Sequence, residues 1–118
     1  KSYNPIEPLK EFFKGNKNIS LLTVSERIKD VFSPASGGIV DIFIIGEVDR
    51  IAFNNFLEKT FFGRKIKYAI MSEDDFLKRL EFNDKLVVSI LSQKDTIFLK
   101  DRLEIQAMIT NKSLPNIS

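Results

Sequence analysis

The chain contains no cysteine, no histidine and no tryptophan. Without cysteine there are no disulfides, no thiolate metal sites and no sulfur nucleophile. Without histidine there is no imidazole ligand, no Ser-His-Asp triad and no histidine acid-base chemistry. Only carboxylates, Lys, Tyr, Ser and Thr remain for chemistry. Long apolar runs are also missing: the longest is Ile42 to Ile45, far below the ~20 residues needed to cross a bilayer, and no signal-peptide pattern opens the sequence. These absences predict a cytoplasmic protein with no membrane partner. An excess of charge is absent too. With 18 basic and 16 acidic residues the formal charge is +2, too even for nucleic-acid binding by composition alone, so any basic patch must be local.

What is present is core material. Hydrophobic residues make up 43% of the 118, including eleven Phe. A chain of this length suits one domain, hiding roughly two-thirds of the surface its unfolded form would expose. Residues 1–118 are expected to form that single domain, with a core over about 19–100 and a C-terminal helix and tail over 101–118. The sequence begins at Lys1 rather than Met, which leaves room for an upstream domain.

Local patterns give the order of elements. Residues 6–13 read as a short helix with Pro8 in its first turn, and Gly15-Asn16 ends it. Ile19 to Val24 reads as a strand. Ser25 to Phe32 fits either a short helix capped by Ser25 or an extended connection, and Ser33 to Gly38 is a loop. Residues 39–45 form a strand apolar on both faces, which predicts deep burial. Asp49 is a good helix N-cap, Val48 can staple onto Phe53, and Ala52, Phe53, Phe56, Leu57 and Thr60 keep helical spacing up to Gly63. Residues 65–71 alternate as a strand. Ser72 caps a helix whose buried side is Phe76, Leu77 and Leu80. Leu86, Val87, Ile90 and Leu91 mark another helix, Thr96 to Leu99 a strand, and Leu103 to Ile109 a last helix. This order predicts an α/β domain, a small mixed sheet flanked by helices, with parallel pairing across the 49–62 helix.

One residue in the 39–45 strand is charged. Side chains alternate along a strand, so a second carboxylate sharing a metal with Asp41 should stand at position 39 or 43, which are Ile39 and Phe43. Glu47 lies about 20 Å further on at ~3.3 Å per residue, too far to share an ion. Alone, Asp41 reads as a polar residue at a strand start, hydrogen-bonded to the Gly37-Gly38 backbone.

The runs Val40-Asp41-Ile42-Phe43-Ile44-Ile45-Gly46-Glu47-Val48-Asp49 and Gly63-Arg64-Lys65-Ile66-Lys67-Tyr68 through Ser72-Glu73-Asp74-Asp75-Phe76 resemble the minimal nucleotidyltransferase-like domains that follow winged-helix DNA-binding domains in prokaryotic regulators. The resemblance covers about residues 19–100. It implies a nucleotidyltransferase-like sheet in which active members hold a nucleoside triphosphate with a Gly-Ser turn and two metals through Asp-x-Asp plus a later carboxylate. Asp41 matches the second Asp of the pair. Ile39 stands where the first should be, the strand around Ile66 to Met71 carries no acid, and Val24-Ser25 lacks the Gly. Metal-assisted nucleotidyl transfer needs clustered carboxylates. The expectation is therefore a catalytically inactive regulatory or protein-interaction module without a cofactor, with a protein partner or self-association, and with DNA reached through an upstream domain. The alternative is an active enzyme whose Mg²⁺ is held by Asp41 together with Glu26 or Asp30.

A third reading is a small nucleic-acid-binding domain. Arg64, Lys65 and Lys67, with Lys59 before them and Lys78 and Arg79 after, could touch phosphates. Glu58, Glu73 and Asp74 interleave with them, which favours an ordinary solvated face. Gly37-Gly38 reads as a turn, since no phosphate-binding fingerprint accompanies it. Tyr68 and the Phe residues at 53, 56, 61 and 62 could stack on bases, yet their spacing is that of a core. In the pair Phe61-Phe62, one exposed ring would mark an interface.

Overall fold

The computed structural model describes residues 3–30 and 39–110. Its elements are α1 (Ile6–Phe13), β1 (Ile19–Ser25), a 3₁₀ turn (Glu26–Lys29), β2 (Ile42–Gly46), α2 (Arg50–Thr60), β3 (Tyr68–Met71), α3 (Glu73–Glu81), α4 (Lys85–Leu91), β4 (Thr96–Asp101) and α5 (Ile105–Thr110). The four strands form one mixed sheet in the order β3-β2-β1-β4. β1 pairs antiparallel with β2 and with β4, and β3 pairs parallel with β2. The α/β class and the parallel pairing across α2 are as the sequence predicts.

Alternation along the strands divides the interior into two layers. Ile42 and Ile44 of β2 join Leu22 and Val24 of β1 against α1 and α2, through Leu9, Phe13, Phe53, Leu57 and Phe61. Phe43 and Ile45 point the other way, with Leu21 and Met71, against Phe76 of α3, Val87 and Ile90 of α4 and Ile105 of α5. Phe43, Phe53, Phe61 and Phe76 are fully buried, and burying each such side chain contributes about 1.5–3 kcal/mol.

Helix ends follow the residues available. The carboxylate of Asp49 accepts from Ala52 N–H at 3.1 Å, the hydroxyl of Ser72 accepts from Asp75 N–H at 3.0 Å, and Asp84 caps α4 through Val87 N–H at 3.1 Å. Both α2 and α3 close with a left-handed residue, Phe62 at φ 54° and Asn83 at φ 55°. After them Gly63 N–H reaches back to Glu58 O and Asp84 N–H to Arg79 O, the six-to-one bond that satisfies a terminal carbonyl.

Several expectations need correction. β2 begins at Ile42, and Ile39 is 41% exposed rather than buried. Its N–H turns to Gln93 Oε1 at 3.2 Å, outside the ladder. β3 begins at Tyr68 rather than Lys65. Leu77 is 50% exposed, because Phe76 takes the sheet-facing position of α3 and the next residue lies a hundred degrees around the helix. Leu86, Val87, Ile90 and Leu91 do form α4, in which Val87, Ile90 and Leu91 are buried and Leu86 is exposed. The 26–32 stretch resolves in part: Ser25 caps a 3₁₀ turn through Arg27 N–H, and residues 31 and 32 lie outside the described residues, as does the loop Ser33 to Gly38.

Candidate functional site at the Asp41 end of the sheet

Asp41 precedes β2 and is 3% exposed. The backbone on either side fixes it. Its carbonyl accepts from Ser25 N–H at 2.8 Å, and its own N–H donates to Lys67 O at 2.7 Å. Its carboxylate Oδ2 accepts from Lys67 N–H at 3.0 Å. One residue thus clamps both backbone groups of Lys67, at the point where β3 enters the sheet beside β2. The expected partner of Asp41, Gly37-Gly38, lies outside the described residues; the Lys67 amide is a partner that sequence reasoning missed. Nothing local to the sequence connects positions 41 and 67. Only the parallel register makes them neighbours.

The neighbouring polar groups are also engaged within the fold. Ser25 is 2% exposed, and its hydroxyl donates to Asp95 Oδ2 at 2.9 Å. Arg27 Nη1 donates to the same oxygen, forming an ion pair, and Glu26 N–H donates to Asp95 O at 2.8 Å. Asp95 therefore ties the start of β4 to the end of β1. It was not singled out from sequence, since it stands 70 residues from Ser25 in an otherwise ordinary turn. The serine at the position the resemblance assigns to a phosphate turn acts here as a helix cap and a tether to Asp95.

The other candidate acids do not join Asp41. Glu26 is exposed, and its carboxylate faces Lys29 Nζ at 3.9 Å. Asp30, also exposed, offers its carbonyl to Arg64 Nη1 at 3.0 Å. Among the described residues no group of three or more acidic side chains is placed to hold a metal ion.

Arg64, Lys65 and Lys67 follow one another on the connection into β3. Arg64 is half-buried and braces Asp30, whereas Lys65 and Lys67 are exposed. Arg79 belongs to a different surface, paired with Asp75 and Asp84, each at 3.0 Å. The hydrogen bond that Arg79 donates to Asp75, then the charges of Asp75 and Asp84, raise the Arg79 guanidinium above its ordinary value. Tyr68 is committed to the core edge: its ring meets Phe53 edge-on at 5.0 Å and its hydroxyl reaches Asn54 Oδ1 at 2.7 Å. Phe61 is fully buried and Phe62 is 59% exposed, so the pair divides as the sequence predicts, with the Phe62 ring against Tyr3 at 5.5 Å.

Compared with protein-family models, with curated proteins and with solved structures, the chain gives no match. Function therefore rests on the chemistry of its own residues. No described helix is long and apolar enough to cross a membrane.

Proposed function

We propose that this chain is a nucleotidyltransferase-like scaffold without catalytic activity, serving as a regulatory or protein-interaction module of a DNA-binding regulator. The observation that supports this reading is the role of Asp41. It matches a metal-binding position of the family the chain resembles, yet its carboxylate is buried and hydrogen-bonded to the Lys67 amide. The position two residues before it carries an apolar side chain, Ile39, open to solvent. A carboxylate turned inward to hold a backbone N–H is poorly placed to share a divalent ion, which needs several oxygens converging on one point.

The test is calorimetric titration of the protein with ATP, GTP, CTP and UTP, with and without Mg²⁺, for wild type and Asp41→Asn. The expected result is no Mg²⁺-dependent binding in either protein. Metal-dependent binding to wild type that disappears in Asp41→Asn would overturn the proposal and favour an enzyme built on Asp41.

A further inference from the structure

A bulge in β4 turns Lys100 toward α1. Leu22 of β1 lies opposite Lys100 and Thr23 opposite Phe98, so Leu99 is an extra residue between the two pairs. Strict alternation would send neighbours on a strand to opposite faces. Here Phe98 packs in the layer of α3, α4 and α5, Leu99 packs in the layer of α1 and α2, and Lys100, paired with Leu22 of that second layer, shares its face. Bulges re-aim side chains in this way and are over-represented beside functional sites.

The face so formed is one wall of a cleft of about 400 Å³ between α1 and β4, a volume within the range of small-molecule sites. Phe13, Leu22 and Leu99 give it an apolar floor, and Lys100 meets Glu7, Lys10, Glu11 and Lys14 of α1 across it. At about 100° per residue, Lys10 and Lys14 form the row of α1 next to its buried side, and Glu7 and Glu11 form the row about 60° farther out. The ammonium row is thus the closer of the two to the apolar floor.

These cations are unequally paired. Glu7 lies 3.7 Å from Lys10, whereas Lys14 and Lys100 enter no ion pair among the described residues. Lys100 is half-buried, and its Nζ donates to Asn16 O at 2.9 Å. An ammonium has three donors, so two remain for a ligand. A cation drawn partly out of water with no carboxylate beside it is stabilised by an anion brought to it. Lys17 and Arg102, both exposed and joined by a 3.0 Å bond from Arg102 Nη1 to Lys17 O, add positive potential beside Lys100.

We propose that the cleft between α1 and β4 binds a small organic anion with an apolar body. Lys100 and Lys14 receive the anionic head, a carboxylate or a phosphate monoester, and the body lies on Leu22, Leu99 and Phe13. An ammonium is a point charge without the planar fork of arginine, so it accepts either head group. The site is built from residues other than those around Asp41, and the inference does not rest on the loss of catalysis proposed above.

Titration of the ¹⁵N-labelled full chain, followed by amide NMR shifts without added metal, provides the test. The ligands are 1-naphthyl phosphate, 1-naphthoate, neutral 1-naphthol and inorganic phosphate. At least one of the two aromatic anions is expected to bind with Kd below ~1 mM, shifting amides of α1 and of residues 99–102 and weakening as salt rises. The tighter of the two identifies the head group. Naphthol and inorganic phosphate are expected to bind at least about tenfold more weakly, since each lacks one half of the recognition. Lys100→Gln is expected to weaken binding about tenfold, the loss of a charged hydrogen bond in a half-buried setting, and the exposed Lys14→Gln about two- to fivefold. Lys65→Gln, away from the cleft, is expected to bind as wild type, and circular dichroism confirms the fold of each variant. Failure of both aromatic anions to give saturable shifts would overturn the proposal. So would naphthol binding as tightly as its phosphate, shifts centred instead on the cleft of Gln93, Phe98 and Gln106, or a folded Lys100→Gln with unchanged affinity. Should Lys100→Gln not fold, Lys14→Gln decides, because its side chain is exposed and in no ion pair; unchanged affinity there would equally overturn the proposal.

Discussion

At the scale of single residues, two positions control how β2 enters and leaves the sheet. Asp41 sets the entry. Parallel ladders are evenly spaced, so β3 could slide along β2 without a change in hydrogen-bond geometry. The carboxylate of Asp41 on Lys67 N–H and the Asp41 N–H on Lys67 O mark one register out from the others. Gly46 sets the exit. It has φ 139°, and a Cβ there would lie 2.1 Å from the carbonyl oxygen of Asn18, on backbone that pairs with it through Ile19. Both the conformation and the space exclude a side chain. Gly46→Ala is therefore expected to lower stability by about 2–4 kcal/mol, combining backbone strain and steric overlap. The urea midpoint checks this, and an unchanged midpoint would show that the β1 start can move aside.

At the scale of elements, the helices that read most clearly from sequence are those with a side-chain cap and an apolar stripe. Asp49 and Ser72 announce α2 and α3, and the described structure places their caps on Ala52 and Asp75 as the spacing requires. Their other ends fall at the Gly63 and Asn83-Asp84 breaks that the sequence shows, although the left-handed closing residue is a phenylalanine in α2 and an asparagine in α3, where glycine is usual. Asn tolerates that conformation better than Ala does. Asn83→Ala is expected to cost about 1 kcal/mol and Asn83→Gly to be neutral or stabilising, measured as shifts in thermal or urea midpoints; equal effects of the two would remove the conformational explanation. Strand starts were misjudged for a different reason. Ile39 and Lys65 continue the right residue pattern, but strand pairing depends on partners distant in sequence, such as Lys67 for Asp41 and Asp95 for Ser25. The candidate site was legible to the same degree: the type and isolation of Asp41 were visible, while its described partners Lys67 and Ser25 were not, since both are brought in by tertiary pairing.

At the scale of the whole molecule, the two apolar layers have one partition. Ile42 and Ile44 belong to one and Phe43 and Ile45 to the other, and all four are fully buried. Unfolding is expected to follow a single transition, with far-ultraviolet circular dichroism and tyrosine fluorescence coincident in urea and a slope of about 1–3 kcal/mol per molar. Tyrosine is an apt probe, because Tyr68 packs on Phe53 in one layer whereas dichroism reports helices on both. Two separated transitions would mean that the layers melt independently. The alternation along β2 argues against that: if either layer loosens, the strand loses half of its packing, and the other layer loses the wall against which it is built. Cooperativity in this protein is thus written into five consecutive residues, Ile42 to Gly46, which make two small cores thermodynamically one.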